Sequence, residues 1–219
     1  MRKQNDQIYV DVGVESDQLS LIYVGDPMCS WCWGFAPEIE SLSNEHPVEV
    51  VVGGLRPGPA AQELEDRLAS FLSSHWVEIA EKTGQPFDTA FLDRRDGWVY
   101  DTEPAAIAVT VMRELSESDT LGYFTTVQRG FYAEGKNVTD FEVLADLSES
   151  FDVDRDDFRD RLESQEAKKA AWDDFSRSRS WGIGGFPALI AALPDDQLAL
   201  LARGWTPADL IRTRIGSLQ

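Results

Sequence analysis

Cys29 and Cys32, separated by Ser30 and Trp31, are the only cysteines in this chain of 219 residues. A thiol pair at this spacing can exchange with disulfides, supply half of a tetrahedral metal site, or fill a core as two small apolar side chains. It does not read as the staple of a secreted scaffold, which would use more cysteines at wider intervals. Were a helix to begin near Cys29, that sulfur would face unpaired N–H groups and the positive end of the helix dipole, both favouring thiolate over thiol. Cys32 would lie one turn on, on the same face, able to attack a mixed disulfide formed by the first. Cys29 is therefore the expected exposed nucleophile and Cys32 the buried resolving thiol. Ser30 and Trp31 tune the pair; neither carries a positive charge, so Cys29 should be less acidic than where a histidine intervenes. Zinc would need two further ligands. The nitrogen side offers only His46 and His75, which lack ligand spacing and read as surface residues.

The surrounding pattern predicts the required helix. Leu19–Val24 is a short β-prone apolar run leading into the turn Gly25-Asp26-Pro27, and apolar residues at Trp33, Phe35, Ile39 and Leu42 extend a helix from Cys29 to about Asn44. Val48–Val52 is the next strand, completing a βαβ unit with parallel strands. From Pro59 to Ser180 the spacing is helical, with helices expected over 63–83, 87–94, 104–115, 121–133, 140–151 and 155–175, and no convincing strand. Ala188–Ala192 and Gln197–Leu201 resume the sheet as an antiparallel pair across Pro194-Asp195-Asp196, and a helix over 207–215 closes the chain. The reading is an α/β fold, βαβ … ββα, with residues 1–57 and 181–219 framing a large all-helical insertion over 58–180.

Ahead of the late strands stands Gly182-Ile183-Gly184-Gly185-Phe186-Pro187. A proline at a strand start suits a position that donates no ladder hydrogen bond or a tight cis turn, and the glycines suggest close backbone approach. An ordinary loop entering a strand is the plainer reading. Trp31, Trp33, Phe35, Trp76, Trp98 and Tyr100 could wall an apolar groove, although most are expected in the core, with Trp31 the best candidate for exposure. The net charge is −19 and the acidic residues are dispersed, which predicts a protein suited to a salty, halophilic cytoplasm. With no basic patch, neither nucleic acid nor an anionic membrane is an expected partner. The polar start Met1–Asp6, with no signal-type apolar run after it, adds to the cytoplasmic expectation.

Asp26-Pro27-Met28-Cys29-Ser30-Trp31-Cys32-Trp33-Gly34-Phe35 and Gly185-Phe186-Pro187-Ala188 together resemble the DsbA-like thioredoxin-fold proteins, and more closely the cytoplasmic, FrnE-like branch of predicted protein-disulfide isomerases. Gly53-Gly54-Leu55-Arg56, Tyr100–Ala105 and Phe131–Gly135 strengthen the likeness, which runs from about Leu19 to Ile211. The resemblance implies a thioredoxin fold interrupted by a helical block, with Pro187 as the cis-proline facing the dithiol. It implies that the backbone at Phe186 pairs with an extended substrate, and that Phe186 influences potential and substrate choice. One departure stands out. Tyr23 occupies the strand position, six before the nucleophile, where such proteins often carry a buried acid. Asp26 is the nearest carboxylate; it reads first as a turn cap, with proton transfer as the alternative.

The implied activity is thiol–disulfide exchange on protein or small-molecule disulfides, with no cofactor beyond the Cys29–Cys32 couple. The implied redox partner is a thioredoxin-type system or a low-molecular-weight thiol, and reduction or isomerisation is favoured over net oxidation in a cytosol. Two other readings compete: a glutathione-dependent isomerase or transferase on the same fold, against which the intact dithiol argues, and a zinc-binding or redox-sensing protein.

Overall fold

A computed structural model describes residues 8–9, 19–94, 96–194 and 197–218. The strands β1 (Ile8–Tyr9), β2 (Ser20–Gly25) and β3 (Val48–Val52) flank the helix α1 (Ser30–Ser43). The strands β6 (Ala188–Ala192) and β7 (Gln197–Arg203) and the helix α8 (Ala208–Gly216) end the chain. Together they form one five-stranded sheet in the order β1-β7-β6-β2-β3. β2 and β3 run parallel; β2–β6, β6–β7 and β7–β1 are antiparallel. The frame βαβ … ββα is therefore as expected, with β1 as an added edge partner. Of the expected turn at 194–196, Asp195 and Asp196 lie outside the described residues, as does Met1–Asp6.

Period-2 alternation splits the strands between two apolar faces. Leu21, Tyr23, Val50, Val52, Leu189 and Ala191 join one core with the helices, while Ile22, Val24, Val51, Ile190 and Ala192 pack with Trp181 and Ile183 on the other side. Between the frame's halves lie β4 (Gln62–Glu63), α2 (Asp66–Thr83), β5 (Val99–Tyr100), α3 (Glu103–Leu115), α4 (Thr120–Tyr132), α5 (Phe141–Ser148), α6 (Arg155–Leu162) and α7 (Gln165–Ser180). No helix among the described residues is long and apolar enough to cross a membrane.

The insertion departs from expectation in three places. Gln62 and Glu63 pair antiparallel with Tyr100 and Val99, so the block holds a two-residue ladder, too short for alternation to register, and α2 begins at Asp66 rather than Glu63. Residues 89–93 form a 3₁₀ turn capped by Asp88, not an α-helix. The helix expected over 155–175 is two: Ser164 Oγ accepts from Ala167 N–H at 3.1 Å and starts α7. The helices expected over 104–115 and 140–151 are present as α3 and α5, the latter capped by Asp140, whose Oδ1 accepts from Glu142 N–H.

The β3 edge is closed by side chains. Val52 N–H donates to Asp174 Oδ2 (3.0 Å), Arg113 Nη1 donates to Val50 C=O (2.8 Å), and Arg113 pairs with Asp174 at 2.8 Å. Helix side chains thus satisfy backbone groups that a bare edge would leave for another strand.

Candidate active site

Cys29 is the N-cap of α1, with extended backbone (φ −93°, ψ 116°), and Ser30 is the first helical residue. Its N–H donates to Asp26 C=O (3.0 Å), closing the 26–29 turn, and its C=O accepts from Trp33 N–H (3.0 Å), opening the helix. Strand, turn and helix thus put the sulfur where first-turn amides have no intrahelical acceptor. Cys32, on the inner side, is fully buried, and burial pushes its thiol well above the ordinary range. The expected exposure of Cys29 needs correction: it is only 5 % exposed. Its Sγ lies 3.7 Å from Phe186 C=O, so the late loop covers much of it.

The Phe186–Pro187 peptide is cis, and Pro187 C=O accepts from Gly204 N–H at 2.7 Å. Dithiol and cis-proline thus face each other although 157 residues separate Cys29 from Phe186. Phe186 rests against Gly53, where a Cβ would fall 2.1 Å from the ring. The close approach is therefore at Gly53. Gly182, Gly184 and Gly185 have open space where a Cβ would be, contrary to the close approach expected of them; only Gly182, at φ +71°, needs glycine for its backbone.

Under the dithiol lies a buried polar layer. Asp26 is fully buried, its Oδ1 accepting from Met28 N–H (2.8 Å) and its Oδ2 from Leu55 N–H (2.6 Å). Burial outweighs these stabilising bonds and raises its carboxyl to about 6. Oδ1 thus caps the turn, while Oδ2 ties it to the segment that follows β3. Tyr23, on β2, is buried behind Cys32, and its hydroxyl has no nitrogen or oxygen partner among the described residues. Burial pushes its phenol further up, so it is no base. Tyr100 Oη donates to Met28 C=O and lies 3.5 Å from Tyr132 Oη. Tyr100 comes from β5 and Tyr132 from α4, so the helical insertion braces the cysteine turn from below. Arg56, 5.0 Å over the Tyr100 ring, completes this side.

Around the mouth the side chains are partly open. Trp31 is half-buried; His75 meets its ring edge-on at 5.8 Å and stacks on Phe71 at 5.4 Å. Lys82 Nζ sits 5.2 Å from both the Trp31 and Trp205 rings. His75 is thus no isolated surface residue, whereas His46 lies beside Pro47, past the opposite end of α1. Trp205 Nε1 donates to Gly34 C=O (3.1 Å), tying the rim to α1. Of the proposed groove aromatics, Trp33, Phe35, Trp76, Trp98 and Tyr100 are buried in the core. Among the described residues, no group of three or more His, Cys, Asp or Glu is arranged to hold a metal. Arg56, Leu55, Tyr132, His75, Phe71, Lys82 and Trp205 were not singled out as site residues from sequence. Only Arg56, Leu55 and Tyr132 fall in segments that carried the family likeness.

A family model described as thioredoxin matches residues 22–211. A structure from Nitrosomonas europaea, provisionally described as a protein disulfide isomerase, is similar at 32% identity and a TM-score of 0.81, covering 91% of this chain and 97% of that one. The cytosolic disulfide reductase DsbM from Pseudomonas aeruginosa is similar at 24% identity and a TM-score of 0.75, over 91% of this chain and 98% of its own. That reductase is also known in a structure with GSH. Among curated proteins, the ClpXP adapter protein SpxH of Bacillus subtilis (strain 168) is 23% identical over 164 residues, 75% of this chain and 55% of the relative. The chain spans about half the length of the curated relatives it matches.

Proposed function

We propose that the chain, which belongs to the thioredoxin family, is a DsbA-like thiol–disulfide oxidoreductase that reduces or isomerises disulfides. The observation that carries this reading is Cys29 Sγ at the helix N-cap, 3.7 Å from the carbonyl that precedes a cis-proline. Cys29 thiolate attacks one sulfur of a substrate disulfide and releases the other as a thiolate, leaving a mixed disulfide. Cys32 then gives up its proton and attacks Cys29 Sγ, releasing the second substrate thiol. Two electrons have passed to the substrate, and the Cys29–Cys32 disulfide remains. Two equivalents of a low-molecular-weight thiol, or a thioredoxin-type donor, restore the dithiol. The glutathione that accompanies the Pseudomonas reductase, and its cytosolic setting, support a small thiol in that role and a cytoplasmic location.

In this reading the two thiols do different work. Cys32, buried and held protonated, resolves only after Cys29 has reacted. The backbone at Phe186, beside exposed Gly184 and Gly185, is open to main-chain pairing with an extended substrate. Asp26 holds the turn, and proton transfer through it is secondary.

The test is turnover of an insulin disulfide with a small-thiol reductant. Cys29→Ser is expected to abolish it, and Cys32→Ser to accumulate a mixed disulfide visible by mass spectrometry. Unchanged turnover in Cys29→Ser overturns the reading. Full activity in Cys32→Ser would instead favour the glutathione-dependent isomerase alternative. The likeness to an adapter protein favours a second, non-catalytic reading, in which both variants keep full function.

A further inference from the structure

Charge is distributed unevenly about the dithiol. In a chain of net charge −19, many cations are neutralised by neighbours: Arg155, Arg159, Arg161, Arg177 and Arg212 each face one or more carboxylates. Lys82, Arg56 and Arg67 have no carboxylate at ion-pair distance among the described residues; Lys82 and Arg56 border the site and Arg67 lines the groove beside Arg56. Lys82 stands between Trp31, one of the two residues separating the cysteines, and Trp205. Arg56 and Arg67 line a groove of about 680 Å³ with Glu63, Glu65 and Phe71. The row Phe71–His75–Trp31 joins that groove to the dithiol. Aromatic faces hold a cation in place yet leave its donors free, and an ammonium without a counterion beside Trp31, two residues after the nucleophile, attracts a carboxylate. The groove beyond carries both signs, so it also tolerates a ligand bearing an ammonium group.

Building on the oxidoreductase reading, we infer that Lys82, seconded by Arg56, selects small disulfides that carry a carboxylate within a few bonds of the sulfur. The carboxylate rests on Lys82 Nζ while Cys29 thiolate attacks the near sulfur. The S–S bond breaks, the distal half leaves as a carboxylate-bearing thiol, and Cys32 expels the other half as before. Two electrons pass from the dithiol to the disulfide, with no further reactant. Trp31 and Trp205 serve to hold the ammonium, and Phe71 with His75 forms the apolar wall that leads to it.

The experiment follows oxidation of the reduced protein by three symmetrical disulfides differing in charge: 3,3′-dithiodipropionate (anionic), 2-hydroxyethyl disulfide (neutral) and cystamine (cationic). Each rate is divided by that of the same disulfide with dithiothreitol, which removes intrinsic reactivity. Disulfides and variants are compared within one ionic strength at a time, each one at which circular dichroism shows the fold intact. Wild type is expected to favour the anionic over the cationic disulfide by about tenfold. Lys82→Gln should cut that ratio about threefold, Arg56→Gln by a smaller factor, and Lys82→Arg should keep it, since partly exposed ion contacts are worth up to about a factor of five. Raising salt to about 1 M, where the Debye length is about 3 Å, should compress the wild-type ratio towards that of Lys82→Gln. A structural role for Lys82 would slow all three disulfides together and leave the ratio in place. That result, or a wild type indifferent to charge, overturns the inference while leaving thiol–disulfide exchange standing. A wild type that none of the three oxidises overturns the underlying reading as well.

Discussion

Beneath the two cysteines, Tyr23, Asp26, Tyr100 and Tyr132 form a closed layer in which every side chain is buried. Around their mouth, Phe71, His75, Trp31, Lys82 and Trp205 meet by ring faces and remain at least partly open to water. The physics of the two regions differs. In the floor a polar group that loses its partner has no water to turn to, and the loss costs about 1–3 kcal/mol. At the rim a cation over an exposed ring contributes about 0.5–1 kcal/mol, and salt weakens it. The floor therefore governs stability and the protonation of the dithiol, whereas the rim can choose among partners at little cost to the fold. Substitutions in each region break or sharpen that division.

The largest expected effect is at Asp26. Its carboxyl, ordinarily at 3.8, is raised to about 6 in the folded chain, so the folded state holds this proton more tightly than the unfolded state does. The stability it contributes is complete below about pH 4 and is lost as pH rises through about 6, because folding must then keep a carboxylate in a dry place. The difference, caused chiefly by burial, corresponds to about 3 kcal/mol. Asp26→Asn carries no charge at any pH but turns one acceptor into a donor facing the N–H of Met28 or Leu55. The variant should therefore be clearly less stable than wild type at pH 4.5 and approach it, or pass it, at pH 8. Denaturant melts at both pH values check this, and a variant–wild-type difference independent of pH would break the account of the floor.

Next comes Tyr100→Phe. It removes the donor to Met28 C=O and the partner of the Tyr132 hydroxyl, so two buried groups lose a bond, at about 1–2 kcal/mol. Because that carbonyl belongs to the peptide leading into Cys29, the rate of Cys29 alkylation should change along with the melting point. An unaltered alkylation rate in a destabilised variant would confine Tyr100 to stability and sharpen the line between floor and site.

The frame and the dithiol were legible because their signals are local. Leu19–Val24, the turn at Asp26-Pro27 and the apolar residues of α1 dictate strand, turn and helix within a few residues of each other, and that order alone puts Cys29 at the N-cap. The floor was not legible in the same way. Tyr100 meets Met28 across 72 residues, and nothing in the spacing around either residue predicts the meeting. The break at Ser164 escaped because Phe158, Leu162, Ala167, Ala171 and Phe175 keep a near-helical period straight across it, while the signal for a new start is one serine followed by Gln165 and Glu166. The shielding of Cys29 escaped for a third reason: a backbone carbonyl provides the contact, and a carbonyl has no sequence identity. The rim came closest to being read, since Trp31 was singled out, but its companions sit on α2 and beyond β7, and only packing brings them together.

Phe71→Ala gives the smallest expected effect and the most direct check on the rim. The side chain is 56% exposed and its ring stacks on His75, so truncation forfeits one partly solvated contact rather than a piece of core. The melting free energy should move by less than about 0.5 kcal/mol, as for surface substitutions generally. Removing the stack also frees His75, whose edge meets Trp31, and so loosens the wall leading to the dithiol. The KM for a small disulfide should therefore rise severalfold with kcat nearly unchanged, because a wall that binds ground and transition states alike affects only their shared binding. A fall in kcat with KM constant would mean that this ring acts on the dithiol itself, and the rim would then share the role assigned to the floor.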